Sequence, residues 1–173
     1  NLRDDIYGGS VENRARFLLE VVDALIEVWG AGRVGVHLAP RGDEHDMGDA
    51  NARETFGYVL EKLGKRQIAF FFTREYLADD SISEYMQQRS GNVPYIANMK
   101  LSREDAINLL ETGKADAVSF GKDYISNPDL YERLVEDAPL NELVFDNMIG
   151  SQTAEGYIDY PTLAELEALE PNA

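Results

Sequence analysis

Two short turns in this chain carry residue types and spacing that could hold an anion. Ala97-Asn98 closes the apolar run Val93-Pro94-Tyr95-Ile96, and Gly121-Lys122 closes the run Ala117-Val118-Ser119-Phe120. Small residues at a strand end leave backbone N–H groups accessible, and a lysine adds a full positive charge, which together suit a phosphate. In parallel α/β barrels the loops after the last two strands are the habitual phosphate site. A plainer reading makes Gly121 a turn residue and Lys122 a solvated charge. On these residues alone both readings stay open.

A second group lies in the loop Arg41 to Asn51, where Asp43, Glu44, His45, Asp46 and Asp49 stand close together. Carboxylates in a loop are the usual ligands of hard cations. Their spacing fits no ligand template, and acidic loops in an acidic protein are mostly solvated, so no metal site is expected. The loop is also long for a strand-to-helix connection, which points to function or mobility.

The elements that must position these residues follow from periodicity. Ser10 is a good N-cap for a helix over Val11 to Trp29, whose Phe17, Leu18, Val21, Val22, Leu25, Ile26 and Trp29 recur at helical spacing and define one wide apolar face. Gly30 and Gly32 end it. A strand is expected near Val34–Leu38, closed by Pro40. Ala52 to Leu63 reads as a helix ended by Gly64, and Ile68–Phe72 as a strand apolar throughout, as in strands covered on both faces. A more polar helix over Asp80 to Arg89, a strand at Pro94–Ala97, a helix after Ser102 and a strand at Ala117–Phe120 complete the pattern. Ser102 and Asp105 make a capping box, Gly113 ends that helix, and a further helix starts after Asn127-Pro128. Strict alternation of strand and helix predicts a parallel sheet with right-handed crossovers. From Pro139 the chain is loop-rich and closes with a weak acidic helix, Leu163 to Leu169. We therefore expect one domain over residues 1–173, with four βα units in 1–138 and a C-terminal loop and short helix in 139–173.

Composition bounds the function classes. With 32 acidic against 16 basic residues the formal charge is −16. A surface so acidic repels nucleic acid and anionic membranes, and neither is an expected partner. A local phosphate site remains compatible, since bare N–H groups and one lysine outweigh a distant screened field. There is no cysteine, hence no disulfide and no thiolate chemistry, and a reducing cytoplasm is the expected location. No apolar run reaches the length of a membrane span and no signal-peptide pattern opens the chain. The first residue is Asn1 and no initiator methionine precedes it, so a removed upstream segment is expected.

Four stretches, in order, resemble one family. Asn1-x-Arg3-x-Asp5-x-Tyr7-Gly8-Gly9-Ser10-x-Glu12-Asn13-Arg14-x-Arg16-Phe17 is similar to the motif after the fourth strand of the old yellow enzyme family, the FMN-dependent ene-reductases that include N-ethylmaleimide reductases. Arg33-Val34-Gly35-x-x-Leu38-x-Pro40, Phe120-Gly121-Lys122-x-x-Ile125-Ser126-Asn127-Pro128-Asp129-Leu130 and Gly156-Tyr157-Ile158-Asp159-Tyr160-Pro161 resemble it too. The resemblance implies the C-terminal half, strands five to eight with their helices, of a (β/α)8 TIM barrel.

It also implies a cofactor, FMN, with NAD(P)H as reductant, and puts Ala97, Asn98, Gly121 and Lys122 at the FMN phosphate. Lys122 stands where the family usually has arginine, which keeps the charge and loses the bidentate fork, so a weaker hold is expected. Where the family's fifth strand sets an arginine against the flavin pyrimidine, this chain has His37. A histidine near its ordinary pKa is only partly charged at neutral pH, so it stabilises anionic reduced flavin less than arginine would. The alternative is a histidine that merely packs. An aromatic pair of the family falls near Ile149-Gly150, where this chain has no aromatic.

The family's substrate-anchoring and proton-donating residues lie on the first half of the barrel, so no catalytic residue is assigned here. Two readings follow. The chain is a portion of an FMN-dependent NAD(P)H oxidoreductase acting on the activated C=C bond of α,β-unsaturated carbonyl compounds, completed by a missing N-terminal half-barrel or by a homodimer. Or it is a non-catalytic half-barrel remnant that binds phosphate or a partner protein.

Overall fold

Ser10 sets the start of the first helix: its Oγ accepts the N–H of Asn13, and α1 runs over Val11–Trp29, the range its periodicity predicts. The computed structural model describes residues 1–41, 47–148 and 153–169. Two compact units make up the chain, Asn1–Ser119 and Phe120–Ala173.

In the first unit a single 3-10 turn, Ala31–Arg33, leads from α1 into β1, Gly35–Leu38. Then follow α2 (Ala52–Arg66), β2 (Phe70–Arg74), α3 (Ser83–Ser90), β3 (Tyr95–Asn98), α4 (Arg103–Glu111) and β4 (Ala117–Ser119). The strands form one sheet in the order β1-β2-β3-β4, every neighbouring pair parallel. This is the expected alternation, with β2 displaced two residues toward the C-terminus and Phe120 outside β4. Ser102 caps α4 through the Asp105 N–H while Asp105 reaches back to the Ser102 N–H, a complete capping box.

Three expectations are corrected by packing. Gly64 does not end α2, which continues to Arg66 and stops at Gln67 in the left-handed region with φ 53. The glycine serves a close approach instead: a Cβ there would lie 2.4 Å from the Ser90 carbonyl oxygen, so α2 can press on the end of α3 only without a side chain. The second difference is at β2. Phe71 and Thr73 are buried while Phe70 is exposed and Phe72 half-buried, so the apolar run has one covered face and one open face. Third, α1 buries Ala15 and Val22 toward α2, while Phe17, Val21, Leu25 and Val28 of its apolar surface remain exposed. One neighbouring helix covers only one stripe.

The core lies on the helix side of the sheet. Val36, Leu38, Phe71, Tyr95 and Ala97 of the strands are buried, as are Val59, Leu60 and Leu63 of α2, Met86 of α3, and Ala106 and Leu109 of α4. The Phe71 and Tyr95 rings stack with centroids 4.7 Å apart, and the Tyr95 hydroxyl meets Thr73 Oγ1 at 2.7 Å. Burial pushes the Tyr95 phenol up, and its hydroxyl neighbours Ser83 and Thr73 only partly offset this.

The second unit contains α5 (Lys122–Ser126), α6 (Leu130–Glu136), α7 (Phe145–Met148) and α8 (Leu163–Leu169). Of these, α5 corrects the expectation that helix begins only after Asn127-Pro128. The five-residue run Lys122–Ser126 already turns, and Pro128, which lacks an N–H, separates it from α6. Arg133 is the hub of this unit. Its Nε donates to Asp129 Oδ1 at 2.7 Å, its Nη2 to the Pro161 carbonyl at 2.9 Å, and its Nη1 to the Pro139 carbonyl.

Candidate functional site

Strand alternation decides which side chains face the open side of the sheet. Residues two apart share a face, and Val36, Leu38, Phe71, Thr73, Tyr95 and Ala97 take the helix side. His37, Phe72, Ile96 and Ala117 are therefore left side by side on the other, joined by the register His37↔Phe72, Phe72↔Ile96 and Ile96↔Ala117. One step toward the strand C-termini comes a polar row, Arg74, Asn98 and Ser119, in register Arg74↔Asn98 and Asn98↔Ser119. In parallel α/β proteins this end of the strands is where ligands bind.

His37 sits on that open face, with its ring 4.4 Å from Phe72 at 80°, edge to face. Partial burial lowers its pKa below the ordinary 6.5, and the neighbouring Arg74 cation lowers it further. At neutral pH the imidazole is therefore mostly uncharged, more so than an unperturbed histidine. Asn98 is also on this face, its Nδ2 donating to the Ser119 carbonyl at 2.7 Å, which fixes its amide. Ala97 points the opposite way, 4 % exposed in the core, so only its backbone could serve a ligand.

The turn after β3 carries a signal that the sequence did not give. Met99 has φ 101 and Lys100 φ 55, two successive non-glycine residues in a region that L-residues rarely adopt. Strain of this kind persists where the surrounding structure fixes it, and it gathers at ligand sites. The loops beyond the strands also bring cations onto one aromatic ring. The Arg41 guanidinium lies 4.4 Å and Lys100 Nζ 5.9 Å from the Tyr76 centroid. Arg41 is tied down by Asp80 at 2.6 Å. The side chain of Glu75, which is fully buried, accepts the Ile82 N–H at 3.0 Å and the Ser81 hydroxyl at 2.8 Å.

Gly121 and Lys122, in the second unit, open α5. Gly121 has φ −108, which any residue adopts, and a Cβ there would meet nothing within 4 Å. Among the described residues nothing in the packing requires glycine, and space beside the backbone is open. Lys122 Nζ lies 4.7 Å from the centroid of Phe145, an aromatic contact in place of the purely solvated charge. Of the acidic loop, Asp43, Glu44, His45 and Asp46 lie outside the described residues, as do Ile149 and Gly150. Asp49 accepts the Asn51 N–H at 2.7 Å, a local turn. Among the described residues no group of three acids or histidines could hold a metal ion, and no helix is long and apolar enough to cross a membrane.

Residues 1–141 match the NADH:flavin oxidoreductase / NADH oxidase family. The chain belongs to that family. It is 35% identical over 170 residues to 12-oxophytodienoate reductase 2 of Arabidopsis thaliana, covering 94% of this chain and 46% of the relative. It is 38% identical over 169 residues to a "probable flavin mononucleotide-dependent alkene reductase" of Leishmania infantum, covering 93% and 44%. In structure it is similar to the old yellow enzyme homologue of Zymomonas mobilis, with a TM-score of 0.87 at 36% identity over 93% of this chain and 47% of that one. The chain spans about half the length of these relatives, and its four βα units are half of a (β/α)8 barrel, strands five to eight.

The motifs that mark this flavin oxidoreductase family are largely scaffolding in this chain. In the opening motif Arg3 pairs with Asp5, Arg14 donates to the Gly9 carbonyl at 2.6 Å and to Thr55 at 2.8 Å, and Arg16 to the Ile6 carbonyl at 2.9 Å. A Cβ at Gly8 would fall 1.8 Å from the Arg3 carbonyl oxygen, so that turn admits glycine alone. In the last motif Gly156 N–H donates to Asp159 at 2.7 Å and Tyr160 OH accepts the Val144 N–H at 2.8 Å. Arg74, Ser119 and the strained pair Met99-Lys100 belong to no motif. The signal that finds Arg74 is register, which places it two residues beyond the partner of His37.

Proposed function

We propose that this chain is part of an FMN-dependent oxidoreductase that draws on NAD(P)H and reduces the activated C=C bond of α,β-unsaturated carbonyl compounds. Its own contribution is to hold the cofactor. The observation that carries the reading is family membership over residues 1–141, joined to relatives whose names specify alkene and 12-oxophytodienoate reduction. The donor set fits FMN by its chemistry: backbone N–H groups and a lysine suit a phosphate, and an imidazole, a guanidinium and an amide on one open sheet face suit a polar ring. The resemblance implies Ala97, Asn98, Gly121 and Lys122 for the phosphate and His37 for the pyrimidine side.

FMN, when bound, supplies the hydride transfer. This chain's residues bind and orient. Lys122 offers a single point charge to the phosphate, Asn98 is held by Ser119, and the open face with Phe70 and Phe72 forms an apolar wall. The partners are a small-molecule substrate and a second half-barrel, from another segment or a second copy. The edges β1 and β4 and the open face need one, since unpaired strand edges and exposed apolar surface drive association. The cysteine-free chain is assigned to a reducing cytoplasm, and its acidic surface speaks against nucleic acid and anionic membranes as partners.

The test is uptake of FMN by the purified protein, read as a flavin absorption band and quenched flavin fluorescence. Gly121→Asp puts a carboxylate where the phosphate is assigned, and because a Cβ there meets open space the fold is left intact. FMN affinity should fall tenfold or more, about 1.4 kcal/mol. Unchanged affinity rejects the phosphate assignment. One observation favours a second reading, a non-catalytic half-barrel: His37 is mostly neutral where the resemblance calls for a fixed cation. Colourless protein that takes up no FMN, sedimenting as a folded monomer at micromolar concentration, selects it.

A further inference from the structure

We propose that Arg74, in register with Asn98 on the open face of the sheet, supplies the positive charge that meets the anionic part of the bound ring. The inference rests on the FMN reading above and adds to it a residue that no motif marks. A flavin ring that has taken up a hydride carries negative charge on its pyrimidine, and a cation fixed nearby favours that form.

Position 37 offers no permanent charge: it is an imidazole, and burial and then the adjacent guanidinium lower its pKa below the ordinary 6.5. The same open face carries a cation on the next strand. Arg74 ends β2, flanked by β1 with His37 and by β3 with Asn98. Its Cα lies diagonally from that of His37, about 7 Å in a β-sheet, well within the reach of an arginine side chain. A guanidinium stays protonated at every relevant pH and offers five donors in a planar fork, which suits the edge of a ring with carbonyl and imide groups. The other two members of the row, Asn98 and Ser119, are neutral, and Asn98 is held by its bond to the Ser119 carbonyl. Arg74 is therefore the charged member of a row that is otherwise polar and fixed.

Two measurements on the protein carrying this chain test the assignment, one with FMN and one without. With FMN bound, Arg74→Gln should weaken the hold on reduced FMN about tenfold more than on oxidised FMN. For a two-electron couple that lowers the reduction potential by about 30 mV. Arg74→Lys, which keeps the charge, should restore most of it. Without cofactor, the His37 imidazole titrates at higher pH in Arg74→Gln, read by NMR; the chain has only two histidines and His37→Gln removes the resonance concerned. FMN that stays bound in Arg74→Gln with an unmoved potential overturns the assignment and leaves the function standing. An unmoved His37 titration overturns it on geometry. Wild-type protein that binds no FMN overturns the function reading, and this proposal with it.

Discussion

In Asn1–Ser119 the most deeply buried large side chains are Phe71, Leu60, Leu63 and Met86; in Phe120–Ala173 Arg133, Asn127 and Ser126 stand beside Leu130. The first unit buries mainly hydrocarbon between a sheet and its helices, with Thr73, Glu75 and Ser90 as its buried polar side chains, and apolar burial is an interaction without direction that tolerates swaps of similar volume. The second closes on directed bonds. Asn127 Oδ1 accepts the Asn141 N–H at 2.7 Å, and Asn141 Nδ2 donates to the carbonyls of Ser126 and Pro161, both at 2.8 Å. Asp129 receives both Arg133 and the Leu163 N–H, the latter at 2.6 Å. A loop-rich segment has many backbone groups without a ladder partner, and buried amide and guanidinium side chains answer that need where a sheet would otherwise do so. The lesson is that similar burial hides different failure modes. Removing a methyl from the first unit leaves a cavity, whereas removing one side chain such as Arg133 from the second orphans several acceptors at once.

The largest effect should come from Arg133→Ala, which takes three donors from their acceptors at a buried guanidinium and leaves Asp129 without its cation, held by the Leu163 N–H. About 3–5 kcal/mol of stability should go, with amide exchange rising first in residues 120–169. A loss under about 1 kcal/mol by chemical denaturation would break the contrast between the units. Leu63→Ala, a fully buried site in α2, should cost about 2–5 kcal/mol by transfer and cavity, with exchange rising first in the sheet and helices of the first unit. Gly64→Ala is smaller, about 1–3 kcal/mol, because the added methyl must displace the Ser90 backbone. A neutral or stabilising result would mean that α2 and α3 part easily.

The subtlest expected difference is in acid. Burial pushes the Asp129 carboxyl up, but bonds from Arg133 and the Leu163 N–H outweigh it and hold the pKa below the ordinary 3.8. A depressed carboxylate stabilises the fold above its unfolded pKa, and that contribution is lost as pH falls through the folded value. Below about pH 4, exchange protection around α6 and the start of α8 should therefore decline. Asp129→Asn should flatten that part of the profile while lowering stability at pH 7. A profile unchanged by the substitution would place the acid lability elsewhere.

The sequence by itself determined the order and class of the four strands and of the longer helices between them, while the short helices α5 and α7 went unread. Val11–Trp29 was legible because an N-cap, a helical apolar period and a terminal glycine agree, and the α4 capping box because its two side chains are three residues apart. The four strands were legible as short apolar runs, and family membership was written in local motifs whose bonds are mostly within or near themselves. Tertiary structure alone decided what depends on residues far apart. The spacing of Gly64 resembles a helix stop, and only the approach of Ser90 shows that it permits packing. The run Ile68–Phe72 looks uniformly apolar, and only the covering helices separate a buried face from an open one. His37 and Arg74 are 37 residues apart in sequence and meet through parallel register, which no local pattern encodes. Arg133 reads as a surface cation until Pro139 and Pro161 are folded over it, because burial of a charge is defined by the chain that returns to cover it.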